Sequence, residues 1–254
     1  MYQYGQYCPV ARAAEILGDR WTLLIVRDLL TGTRYFNALK RGLPGSSGTL
    51  LADRLRRLQD VGVVEKRSEL KGRSTTEYLL TTAGSELRDV VHALLMWGAK
   101  WGFGEPRPEE LDPILLLWWM RSRIHIDRLP AERIVVEFDF RGVENAVYWL
   151  MLTRKDVSVC LQHPGHDVDV VVTADLASFY EVWLGRLSYD DARRANQINV
   201  DALPALACDF PNWFAWSAAA EAVRAAMLDR DGERLAVSGG GTETCEPPLH
   251  LPND

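Results

Sequence analysis

The chain has 254 residues, 47% of them hydrophobic, which is enough to bury a proper core in two domains, and its longest apolar run, Ile114 to Met120, is far short of the roughly 20 residues that span a bilayer. The formal charge of −6 is unevenly spread: residues 1–104 carry 15 Lys and Arg against 10 Asp and Glu, net +5, and the other 150 carry 14 against 25, net −11, so the first half is the one suited to a polyanion. The start lacks a basic stretch followed by an apolar one, and Cys8, Cys160, Cys208 and Cys245 have no CxxC spacing, which argues against a secretory signal, a zinc site or a disulfide framework and fits a reducing cytoplasm.

In chain order, Cys8 to Leu17 has helical spacing and stops at Gly18. Asp19 is placed to cap a second helix over Arg20 to Leu30, with Trp21, Leu24, Ile25 and Leu29 recurring every three or four residues. A third, short helix spans Thr33 to Lys40. The loop GLPGS then leads into Ser47 to Asp60, the stretch around which the rest is organised. There Leu50, Leu51, Leu55 and Leu58 share one side, Thr49, Ala52, Asp53 and Arg56 lie opposite, and Arg54 and Arg57 flank them. Ser47 is a suitable N-cap and Gly62 stands past the end. Hydroxyls and arginines on an outward helix face are the groups that read base edges and phosphates in a major groove. Helix phase favours Thr49, Asp53 and Arg56 for bases, with Ser47, Arg54 and Arg57 beside them.

Val61, Val63 and Val64 open a strand, and Tyr78, Leu79 and Leu80 lie in the returning one, with Lys71, Gly72 and Arg73 at the turn. A basic hairpin directly after such a helix makes a wing, with Lys71 and Arg73 as phosphate contacts. These blocks, CPVARAAEILGDRWTLLIVRDLLTGTRYFNALKRGLPG, SGTLLADRLRRLQDVGVVEKR and TEYLLTTAG, resemble the HxlR family of winged-helix transcription regulators over about residues 5–103. The resemblance implies a homodimeric, DNA-binding regulator on a palindromic operator, more often a repressor. It also implies a role for Cys8 in sensing oxidants or electrophiles, for which a helix N-terminus suits a thiol. The wing departs from the family pattern: KGRSTT stands where members often have proline before the returning strand.

Thr82 to Trp101 reads as a long helix whose band of Leu87, Val90, Val91, Leu94, Leu95 and Trp97 is expected to help form the dimer. Gly102 to Pro113 is a Gly-, Pro- and acid-rich linker. Beyond it a helix is predicted over Ile114 to Leu129. Alternating strands follow at Arg133 to Phe140, Ala146 to Thr153, Val157 to Gln162 and Val168 to Thr173. Helices come next at Asp175 to Leu184 and Ser188 to Arg194, then a short strand at Ile198 and Val200, and closing helices at Ala202 to Cys208 and Trp213 to Met227. This order, with DVVVTADLASFYEVWLGRLSYDDA as its most telling stretch, is similar to a sterol carrier protein-like domain, which implies an apolar cavity between sheet and helices.

The expected fold is thus α+β: a winged helix-turn-helix over 1–103, a linker over 104–112, a sterol carrier protein-like α/β domain with a mainly antiparallel sheet over 113–228, and a disordered tail over 229–254. Trp118, Trp119, Tyr148, Trp149, Phe179, Tyr180, Trp183, Trp213 and Trp216 are the candidate contacts for a hydrophobic effector such as a lipid or an aromatic metabolite. His163 and His166 lack clear third and fourth ligands, so no metal is expected, nor any cofactor. With no nucleophile elbow, phosphate loop or acid/base pair, no enzyme is expected either. The reading is a cytoplasmic, effector-controlled regulator bound to duplex DNA; the alternative is a lipid carrier or accessory protein that uses its winged helix for dimerisation or protein binding.

Overall fold

The computed structural model describes residues 3–69, 75–142 and 147–228. Its first part runs α1 (Pro9–Leu17), α2 (Thr22–Leu30), α3 (Phe36–Gly42), α4 (Gly48–Asp60), β1 (Val64–Glu69), β2 (Thr75–Leu80) and α5 (Thr82–Trp97). The two strands pair antiparallel, starting from Val64 opposite Leu80. This is the order of a winged helix-turn-helix. Leu51, Leu55 and Leu58 of α4 are buried against Ile25 and Val26 of α2, Leu39 of α3, and Val63 and Val64 at the root of the wing. Burying three such leucines stabilises this packing by about 1.5–3 kcal/mol each. The Ser47 hydroxyl accepts from the Leu50 amide at 3.1 Å, so a first-turn donor that the helix cannot satisfy finds a partner.

Two helix starts differ from expectation. The second begins at Thr22 rather than Arg20, because Trp21 holds a left-handed backbone with φ 78°, and no side chain, Asp19 included, caps it. The third begins at Phe36 because Tyr35 is extended and bridges antiparallel to Glu77, with the Tyr78 amide donating to the Arg34 carbonyl at 2.8 Å. A pairing across more than 40 residues overrides the local helical spacing there. At the start of α5 only a hydrogen fits at Gly84, where a Cβ would lie 2.2 Å from the Val63 carbonyl oxygen. The helix predicted to Trp101 is α-helical to Trp97 and then takes a π-helical turn over Gly98–Gly102.

The second part holds α6 (Pro113–Arg121), β3 (Ile134–Arg141), β4 (Val147–Leu152), β5 (Val157–Cys160), β6 (Val170–Asp175), α7 (Leu176–Leu184), α8 (Tyr189–Arg194), β7 (Ile198–Ala202), α9 (Pro204–Asp209) and a helix over 220–228, α10. Its five strands lie in the order β5-β4-β3-β6-β7. Every neighbouring pair is antiparallel except β3 with β6, which is parallel, so the sheet is mixed. Ile134, Val136, Phe138 and Phe140 all enter the core, as their alternation predicts, together with Phe179, Trp183, Phe210 and Trp213.

The helix predicted over Ile114 to Leu129 ends at Arg121, and the one predicted from Trp213 is helical only from 220. Both departures have one cause. Residues 123–125 and 213–215 leave their helices to pair with each other: Ile124 bridges Phe214, His125 N donates to Trp213 O at 2.8 Å, and Ala215 N donates to Arg123 O at 2.8 Å.

Among the described residues the parts meet at Trp118, at Ala99 with Phe103, and at Arg186, whose guanidinium lies over the Phe103 ring at 5.7 Å. The Trp118 ring of α6 lies between the guanidinium of Arg41 in α3, at 5.0 Å, and that of Arg121, at 4.8 Å. Val223 and Ala226 of α10 pack with Ala99 and Phe103, just beyond α5. Among the described residues no helix is long and apolar enough to cross a membrane. Lys71 and Arg73 of the wing, and the tail over 229–254 with Cys245, lie outside the described residues.

Candidate nucleic-acid interface

The outward face of α4 carries Thr49, Ala52 and Arg56, all exposed, with Ser47 exposed at its N-terminal end. At about 1.5 Å rise per residue, Thr49 to Arg56 covers roughly 10 Å, about three base-pair steps of 3.4 Å. The four charged candidates on this helix do not behave alike. Asp53 is a hub: its carboxylate meets Arg56 at 2.5 Å and Arg54 and Arg57 at 3.1 Å each. Arg54 and Arg57 also reach back to Asp19, in the turn before α2, at 3.2 and 2.9 Å. Arg54 Nε donates in addition to the Arg20 carbonyl at 3.3 Å.

The Arg54 side chain is only 14% exposed, against 70% for Arg56. Arg54 therefore acts as a strut between α4 and the α1–α2 turn, and Arg57 stands half free. Arg56 keeps a single i,i+3 partner at the surface. Such exposed pairs are worth at most about 1 kcal/mol, so Arg56 can leave Asp53 at little cost, while Arg54 and Arg57 still neutralise that carboxylate. Asp19 is the residue whose part the sequence hid. It reads as a helix cap, and only the fold brings it to two arginines 35 and 38 positions away.

The nine aromatic candidates separate into four groups. Phe179, Tyr180, Trp183 and Trp213 are buried in the core of the sheet domain, and Trp119, Tyr148 and Trp216 pack against it half-buried. Trp118 faces α3 instead, between its two arginines. Trp149 pairs across the strands with Glu137, to whose carboxylate its indole donates at 2.8 Å, and meets the His163 ring edge-on at 5.4 Å. By strand alternation that is the face of the sheet opposite Val136 and Leu150. His163 Nδ1 accepts from the Gly165 amide at 3.1 Å within its turn. Cys8 is the half-buried N-cap residue of α1, and its side chain makes no capping hydrogen bond.

A family model described as HxlR-like helix-turn-helix matches residues 16–105. The "Uncharacterized HTH-type transcriptional regulator Mb3122" of Mycobacterium bovis is 40% identical over 100 residues, which are 39% of this chain and 61% of that protein. The "Uncharacterized HTH-type transcriptional regulator YvaP" of Bacillus subtilis is 34% identical over 98 residues, 38% of this chain and 91% of that protein. Among solved structures, the reduced form of the transcriptional regulator YodB from B. subtilis matches at 29% identity with a TM-score of 0.35, covering 38% of this chain and 95% of that one. The chain thus spans 61% of the length of the first of these relatives, and the family match ends before α6.

Proposed function

Since this chain belongs to the HxlR-like helix-turn-helix family, we propose that it is a DNA-binding transcription regulator, acting in the cytoplasm as a homodimeric repressor, whose second half binds a hydrophobic effector. The observation that carries the reading is the exposed face of α4, with Thr49 and Arg56 two turns apart above a fully packed core. The likeness to transcriptional regulators of the same family supports it, and so does the net charge of +5 over residues 1–104. The proposed domain division 1–103 and 113–228 is supported by one large hydrophobic cluster in each half.

The dimer is supported by α5. Its Leu87 and Val91 pack on the winged-helix core, but Val90, Leu94 and Trp97, and Trp101 in the turn beyond, form an apolar stripe that is 43%, 47%, 63% and 59% exposed. A second copy of the same stripe is its natural cover. A two-fold axis there sets two copies of α4 on successive major grooves, about 34 Å apart. An effector then acts by preferring one spacing of those helices over another.

The test is binding to duplex DNA from the region flanking the protein's own gene, with salt varied. Selective binding that weakens steeply with salt is expected, since each neutralised phosphate releases counterions. Absence of selective binding at low salt would remove the regulator reading in favour of a carrier. A second measurement addresses coupling. Trp118→Ala removes the cation–π contact of about 0.5–1 kcal/mol that joins α6 to Arg41 of α3, together with one to Arg121 within α6. It is expected to cut the relief of DNA binding by host lipid extract by about fivefold or more, and to leave the affinity without extract within about twofold.

A further inference from the structure

One part of the sheet domain is not satisfied by its own packing. Trp213 is fully buried, yet its indole Nε1 has no hydrogen-bond partner, and the Tyr189 hydroxyl oxygen is likewise buried and unpaired. Both rings pack on Phe210, at 6.4 Å for Tyr189 and 5.8 Å for Trp213, so the two side chains that carry the orphaned groups share one aromatic neighbour. Trp216 closes over Tyr189 at 6.0 Å. A buried N–H or O–H without an acceptor is destabilising, and such groups in a native fold are completed by ordered water or by a bound molecule. Burial pushes the Tyr189 hydroxyl up to about 12, so at neutral pH it is a phenol that both donates and accepts.

The cover over these rings is under strain. Trp216 holds φ 41°, in the left-handed region that a bulky side chain avoids. What keeps it there is Arg123: its Nε donates to the Trp216 carbonyl, and its second guanidinium nitrogen donates to the Ala215 carbonyl at 3.1 Å. The segment over 214–217 is therefore held by the Arg123 side chain just beyond α6, by its backbone pairing with residues 123–125, and by the Ser217 amide donating to the Trp183 carbonyl at 3.2 Å, beside a cluster with two unused hydrogen-bonding groups.

We propose that the cluster of Tyr189, Phe210, Trp213 and Trp216 is the effector subsite, and that it takes a planar, mostly apolar molecule bearing a hydroxyl or carbonyl oxygen. That oxygen accepts from Trp213 Nε1 and shares a hydrogen bond with the Tyr189 hydroxyl, while the ring system stacks among the aromatics. Entry needs residues 214–217 to release from the Arg123 side chain and from their backbone hydrogen bonds to Arg123 and Trp183, which relaxes Trp216; the unliganded site is closed and opens as the ligand enters. The proposal rests on reading the second half as an effector domain.

Two probes of one shape separate the chemistry: 2-naphthol, which carries the oxygen, and naphthalene, which does not, each titrated calorimetrically into the full chain. One 2-naphthol per chain is expected, bound at least about tenfold tighter than naphthalene. Trp213→Phe and Tyr189→Phe are each expected to remove most of that preference without weakening naphthalene. Tyr189→Phe also deletes an unpaired buried hydroxyl, so the free variant is expected to unfold at a higher temperature than the parent while binding 2-naphthol less well, which a merely structural tyrosine would not do. Equal affinity for the two probes, no saturable binding of 2-naphthol, or equal losses for both probes in Tyr189→Phe overturns the proposal. DNA binding measured without probe reports separately on the regulator reading, so the two can fail independently.

Discussion

Gly185→Ala is expected to destabilise the sheet domain by about 2–5 kcal/mol, read from the denaturant midpoint of the full chain. Gly185 ends α7 with φ 82°, and an L-residue there costs about 1–2 kcal/mol. A Cβ would also lie 2.6 Å from the Ala220 carbonyl oxygen and 2.9 Å from its Cα and Cβ, at the start of α10, and forcing atoms into a packed contact adds about 1–3 kcal/mol. Gly165→Ala is the control, because it shares a positive φ of 76° but has nothing within 4 Å of the added carbon. It should lose only the backbone part. If both variants lose the same amount, the close approach of α10 to α7 is not a constraint.

The second large effect is on recognition. Arg56→Ala is expected to weaken selective DNA binding by about 1–3 kcal/mol, roughly 5- to 150-fold, if Arg56 turns from Asp53 to a guanine edge. Its stability should change by less than about 0.5 kcal/mol, since the side chain is largely exposed. Arg54→Ala is expected to do the reverse, because Arg54 holds the α1–α2 turn through Asp19 and the Arg20 carbonyl. The pair of variants, compared in one DNA titration and one melting experiment, decides whether the free arginine rather than the anchored one reads the operator. Loss of binding in Arg54→Ala with a normal melt would reverse the assignment.

What was legible in the sequence is what local spacing encodes. The leucine row Leu51, Leu55 and Leu58 of α4, the Ser47 cap, the alternation in β3, and the helices opening at Asp175 and Ser188 stand within a residue of where the sequence predicts them. The departures arise where a distant partner decides. Tyr35 is extended because Glu77 is there to pair with it, and α6 stops at Arg121 because residues 213–215, some 90 positions on, supply a strand-like neighbour. The same limit applies to the site. Arg54 and Arg56 are two positions apart on one helix and chemically alike, and only the approach of Asp19 makes one a strut. Aromatic count pointed to the second half as a binding domain, but apolar rings look alike in sequence whether they fill a core, as Phe138, Phe140 and Phe179 do, or leave a polar atom unpaired, as Trp213 does.

The parallel pairing of β3 with β6 has a consequence for the order in which the molecule assembles. β3, β4 and β5 are neighbours in sequence and can zip as a meander, but β6 must bring Val170 beside Val136 before β7 has an edge to join. Closing that loop costs chain entropy before any contact repays it, whereas the winged helix is built from helices and one ribbon close in sequence. On a chain made from its N-terminus, the winged-helix half is therefore complete while the sheet half is still closing, and the slower half is the one expected to set how soon a newly made molecule is fully folded.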